Sequence, residues 1–62
     1  MNLKEMREKC GMSQSNLADN SGVNIRTIQS YEQGLKDINK AQVRIVQSLS
    51  KALGCAIEDL IE

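Results

Sequence analysis

The run Asn24-Ile25-Arg26-Thr27-Ile28-Gln29-Ser30 gathers side chains suited to reading nucleic-acid bases. Arginine donates a pair of hydrogen bonds to guanine, asparagine or glutamine pairs with adenine, and an aliphatic group meets the thymine methyl. At helical spacing Ile28 falls on one face, while Ile25, Arg26, Gln29, Ser30 and Gln33 fall on the other. Asn24 stands at the start of that helix and Thr27 flanks the polar face. Asn24, Ile25, Arg26, Thr27, Gln29 and Ser30 are therefore the candidate base-reading residues. Gln14 and Ser15 open the preceding helix, whose N-terminal amides and dipole suit a phosphate. Each residue also has a plainer reading. Asn24 is first of all a helix cap, and Gln29, Ser30 and Gln33 could form a solvated face.

Those side chains need two short helices joined tightly. Ser13 is expected to cap a helix from Gln14 to Asn20, with Leu17 and Ala18 inward. Ser21-Gly22-Val23 forms the turn, where glycine accepts a left-handed backbone at no steric cost. Asn24 caps the next helix, Ile25 to about Gln33, and Gly34 ends it. Ala18 is small enough for the two helices to cross, and Val23 and Ile28 fill the angle between them. The motif thus spans residues 14–33. Before it, Asn2 caps a first helix with Leu3, Met6 and Cys10 on one stripe, ended by Gly11. After it, residues 35–39 form a loop with Ile38 tucked beneath. A fourth helix opens at Asn39 or Lys40, with Val43, Val46, Leu49 and Leu53 as its apolar seam and Gly54 as its stop. Residues 56–61 form a fifth. The expected fold is all-α, a compact bundle of five short helices in one domain over residues 1–62.

A chain of 62 residues with one aromatic, Tyr31, buries a modest aliphatic core. Net charge is zero, from eight basic and eight acidic residues, which counts against a nonspecific, charge-driven nucleic-acid binder. The charges are unevenly placed. Residues 24–51 hold five bases and two acids, whereas residues 52–62 hold three acids and no base. A basic middle and an acidic tail suit one phosphate-facing side. Cys10 and Cys55 read as small buried hydrophobes in a reducing, cytoplasmic setting, with a disulfide between them a minor alternative. The chain has no histidine that could activate either cysteine and no glycine-rich phosphate loop. Neither an enzyme nor a metal or other cofactor is expected. No signal or membrane-spanning run is seen, and Met1 and the stop near Glu62 are expected to mark a whole chain.

The motifs in order carry a resemblance. Met6-Arg7-Glu8-Lys9-Cys10-Gly11-Met12-Ser13-Gln14, Leu17-Ala18, Gly22-Val23, Ile28 and Tyr31-Glu32-Gln33-Gly34 resemble the lambdoid-repressor and Cro-like helix-turn-helix family, also called the Xre family. Leu49-Ser50-Lys51-Ala52-Leu53-Gly54 and Ile57-Glu58-Asp59-Leu60 look like that family's last two helices. Two positions depart from it: Ser21 is polar before the turn glycine, and Ile25 is apolar where many relatives are polar. The resemblance implies that Gln14 lies at the base and phosphate edge and that helix three lies in the major groove of double-stranded DNA. It implies a structural ion pair between Arg7 and Glu32. It also places Lys36, Lys40 and Arg44 along the phosphate backbone. The expected function is sequence-specific transcriptional regulation, as a repressor of phage, plasmid or bacterial origin. A single module spans few base pairs, so a homodimer on a two-fold operator is expected, joined through Leu53, Ile57 and Ile61. Two rivals remain: an antitoxin that also represses its own operon, and a protein-interaction module with little DNA affinity.

Overall fold

Local capping chemistry sets where each helix begins. In the computed structural model, which describes residues 2–61, Asn2 Oδ1 accepts from the Glu5 N–H at 2.9 Å and starts α1, Leu3–Lys9. Ser13 Oγ accepts from the Asn16 N–H at 3.0 Å and starts α2, Gln14–Ser21. Asn24 Oδ1 accepts from the Arg26 N–H at 2.8 Å and starts α3, Ile25–Glu32. Each oxygen satisfies a helix-start amide that has no partner within the helix. Gly22 closes α2 at φ 74° and lets the chain reverse within a few residues. A fourth helix, α4, runs Val43–Leu53. Met1 and Glu62, and with them the expectation about the chain's two ends, lie outside the described residues.

The helical class is as expected, and among the described residues there is no strand. The described residues form four α-helices, with two single 3-10 turns at Ile38–Lys40 and Ile57–Asp59. The fourth helix therefore does not open at Asn39 or Lys40. Asp37 Oδ1 accepts from the Asn39 N–H at 2.9 Å and holds a tight turn. Ala41 and Gln42 then take extended backbone before α4 begins. This break lets Ile38 and Ala41 both pack against the core. The expected fifth helix is likewise one 3-10 turn, where the Asp59 carboxylate accepts from the Ala56 N–H at 3.1 Å. So few residues cannot repay the cost of starting an α-helix, and the tight turn still brings Leu60 fully into the interior.

The core is Leu3, Leu17, Val23, Ile28, Val46, Leu49, Leu53 and Leu60, built chiefly where α2 meets α4 and α3. Three other expectations are corrected by burial. Val43 does not extend the seam of α4: as the first residue of the helix, at its open end, it is 66% exposed. Leu53 belongs to the core at 6% exposure and offers no surface for a partner. Cys10 is exposed and Cys55 half-buried, and both thiols are free. Cys10 Sγ donates to the Leu53 carbonyl at 3.3 Å, which ties the end of α1 to the end of α4. Burial, with the negative charge of Asp59 adding to it, raises the Cys55 thiol above its ordinary value. Among the described residues no helix is long and apolar enough to cross a membrane.

Candidate nucleic-acid interface

Only one side chain of α3, Ile28, is fully buried. Glu32 at the end of the helix also turns its carboxylate inward, and Tyr31 packs against the core. Asn24 and Arg26 are exposed, and Ile25, Thr27, Gln29 and Ser30 are half-exposed. Asn24 spends its carbonyl on the cap and keeps its NH2 group free of that bond. The Arg26 guanidinium takes part in no ion pair among the described residues. Ser30 donates its hydroxyl to the Arg26 carbonyl at 2.9 Å, so only its oxygen lone pairs remain for a partner. Ser15, Lys36, Lys40 and Arg44 are all exposed.

A part-buried ion pair anchors the end of α3. Arg7 Nε sits 2.8 Å from Glu32 Oε2 and Nη2 sits 3.0 Å from Oε1, a two-pronged pair linking α1 to α3. Arg7 Nη1 donates to the Met12 carbonyl at 2.8 Å, fixing the loop that leads into α2. The Arg7 and Glu32 side chains are 12% and 4% exposed, respectively. Burial by itself would raise the Glu32 carboxyl. Hydrogen bonds from Arg7 and Gln14, with the charges of Arg7 and Lys4, outweigh it and hold the group below the usual carboxylate range. The hydrogen bond to Glu32 raises Arg7 against the opposing effect of burial, helped by the charges of Glu32 and Glu8.

Gln14 is placed differently from a free phosphate-edge residue. Its Nε2 donates to Glu32 Oε1 at 3.2 Å, and its Oε1 accepts from Gln29 Nε2 at 3.3 Å. The residue that opens α2 is thereby joined to the ion pair on one side and to Gln29, a candidate base-reading residue, on the other. Sequence reading missed this link. A glutamine side chain carries no signal of its partner, and the partners are fifteen and eighteen residues away.

Comparison with curated proteins and with solved structures gives no match. The family model for the helix-turn-helix matches residues 3–60, nearly the whole chain. That family is one of DNA-binding regulatory domains rather than of enzymes. The caps at Ser13 and Asn24, the left-handed turn at Gly22 and the polar outer face of α3 are the parts such a motif needs, and the chain belongs to the Xre, lambda-repressor-like helix-turn-helix family.

Proposed function

We propose that the protein is a sequence-specific regulator, a repressor of phage, plasmid or bacterial origin, that reads an operator with α3 in the major groove. The observation that carries this reading is that α3 turns Ile28 and the Glu32 carboxylate inward and leaves Arg26 exposed at its first turn, in no ion pair among the described residues. Asn24, Ile25, Arg26, Thr27, Gln29 and Ser30 read bases. Ser15, Lys36, Lys40 and Arg44 hold phosphates, with Gln14 at the edge between the two. Regulation by such a small reader requires two copies on a two-fold site. Ile57 and Ile61, with Ile38, Ala41, Val43 and Val46, line a shallow groove of about 180 Å³ that suits the second copy.

The test is recovery of genomic DNA fragments with the purified protein near physiological salt, followed by sequencing. Enrichment of one short two-fold-symmetric site is the expected result. Folded protein that enriches nothing overturns the reading. Zero net charge and the exposed side chains of Leu35 and Val43 favour a second reading, a module that binds another protein, a toxin among the candidates. DNA affinity that falls steeply with salt excludes a module with little DNA affinity.

A further inference from the structure

Gln29 is the outer end of a hydrogen-bond chain that begins at a charge. Arg7 donates to Glu32, Gln14 Nε2 donates to the same Oε1 atom at 3.2 Å, and Gln29 Nε2 donates to Gln14 Oε1 at 3.3 Å. An ionised carboxylate can only accept hydrogen bonds. Gln14 must therefore turn its NH2 group toward Glu32, which leaves its carbonyl facing away. Gln29 meets that carbonyl and must in turn offer NH2. The direction of both amides follows from the charge on Glu32, although the oxygen and nitrogen of an amide are otherwise interchangeable in shape. What Gln29 has left to present is its carbonyl oxygen and one N–H.

We propose that Gln14 is a positioning residue, anchored on the Arg7–Glu32 pair, that fixes the direction of the Gln29 amide so that Gln29 selects a base carrying an exocyclic amino group in the major groove. The proposal rests on the DNA-reading role of α3 given above. In the major groove adenine and cytosine present such an amino group, whereas guanine and thymine present a carbonyl oxygen in its place. Adenine uses both free ends of Gln29, its N6 donating to the carbonyl and its N7 accepting from the remaining N–H. Cytosine uses the carbonyl alone. A glutamine without Gln14 could rotate its amide half a turn and accept the keto bases as readily. Here that rotation would set the Gln29 carbonyl against the Gln14 carbonyl. Turning Gln14 to relieve this would aim an oxygen at the Glu32 carboxylate, so the wrong direction leaves a half-buried acceptor facing an acceptor.

The experiment selects binding sites from random duplex DNA with the wild type, Gln14→Ala and Gln29→Ala, and scores base preference position by position. One position in each half-site should lose its preference in Gln29→Ala, and in the wild type that position should hold adenine or cytosine. Which of the two it holds separates the bidentate contact from the single one. In Gln14→Ala the preference at that position alone should relax about tenfold toward the keto bases. Loss of a mere phosphate contact would instead weaken all sequences alike and leave the preference unchanged. Nitrogen–proton NMR of the free protein is the second measurement: the Gln29 side-chain amide should stand apart from the solvated glutamines and join them in Gln14→Ala. An unchanged preference in Gln14→Ala, or a keto base at the Gln29 position, overturns the relay while leaving DNA reading intact. A Gln29 amide that matches the solvated ones in the wild type also overturns it. Failure to enrich any sequence removes both.

Discussion

At the residue scale, Arg26 and Arg7 are two arginines with opposite duties. Arg26→Ala removes an exposed side chain with no ion pair, so folding should stay intact. Its affinity for a selected operator should drop by about 1–3 kcal/mol in a titration, the worth of one base contact. Unchanged affinity would take Arg26 off the reading face. Arg7→Ala leaves the Glu32 carboxylate, 4% exposed, without its cation and also removes the bond to Met12. Stranding one partner of a buried pair costs about 3 kcal/mol, which a thermal or urea melt would register directly. A mutant as stable as the parent but weaker on DNA would reverse the two assignments. The same pair sets an acid limit. Because Glu32 is held below its ordinary value of about 4.5 in the folded chain, its stabilising contribution is present above that pH and is lost as pH falls through the lower folded value. Melts taken across that window should show Glu32→Gln less stable at neutral pH and flatter in its response to acid.

At the scale of elements, the turn between α2 and α3 rests on one backbone conformation. Gly22 sits at φ 74°, and a Cβ built there would meet open space. Gly22→Ala should therefore cost only the left-handed strain, about 1–2 kcal/mol, with no clash added to it. In a chain this small that lowers the melting temperature by roughly 8–15 °C. A drop much larger than this would mean that the turn also carries packing. The 3-10 turn at Ile57–Asp59 teaches a different lesson. It is too short to be stable alone, and it is held because Leu60 behind it is completely buried.

At the scale of the whole molecule, zero net charge and a DNA-reading role are reconciled by where the charges lie. Lys36, Lys40 and Arg44 are three exposed cations per copy, the proposed phosphate contacts. A dimer neutralising six phosphates should show a slope of log affinity against log salt of roughly −5. A slope near zero would contradict the proposed backbone contacts. The groove beside α4 makes a second prediction at this scale. Val43 is 66% exposed, so Val43→Glu should leave the melt nearly unchanged. If that groove seats the second copy, the mutant should lose the gain in affinity that a full two-fold site has over a half-site. A mutant that keeps the gain would place the dimer contact elsewhere.

Caps and turns were legible in the sequence because they are local. Asn2, Ser13 and Asn24 bond amides two or three residues away, and Gly22 answers a demand of its own backbone. The stripe of α3 was legible for the same reason, since helical period alone separates Ile28 from Arg26 and Gln29. The family, too, was carried by ordered local motifs, and its model matches residues 3–60. Tertiary structure decided what depends on neighbours distant in the chain. It turned Val43 out of the core, closed off Leu53 as a partner surface, left Cys10 at the surface, and reduced the last helix to one turn around Leu60. It also joined Gln14 to both Glu32 and Gln29. Burial and side-chain hydrogen bonding between separate helices exist only once the helices have packed, and no local pattern of residues encodes which amide will face which carboxylate.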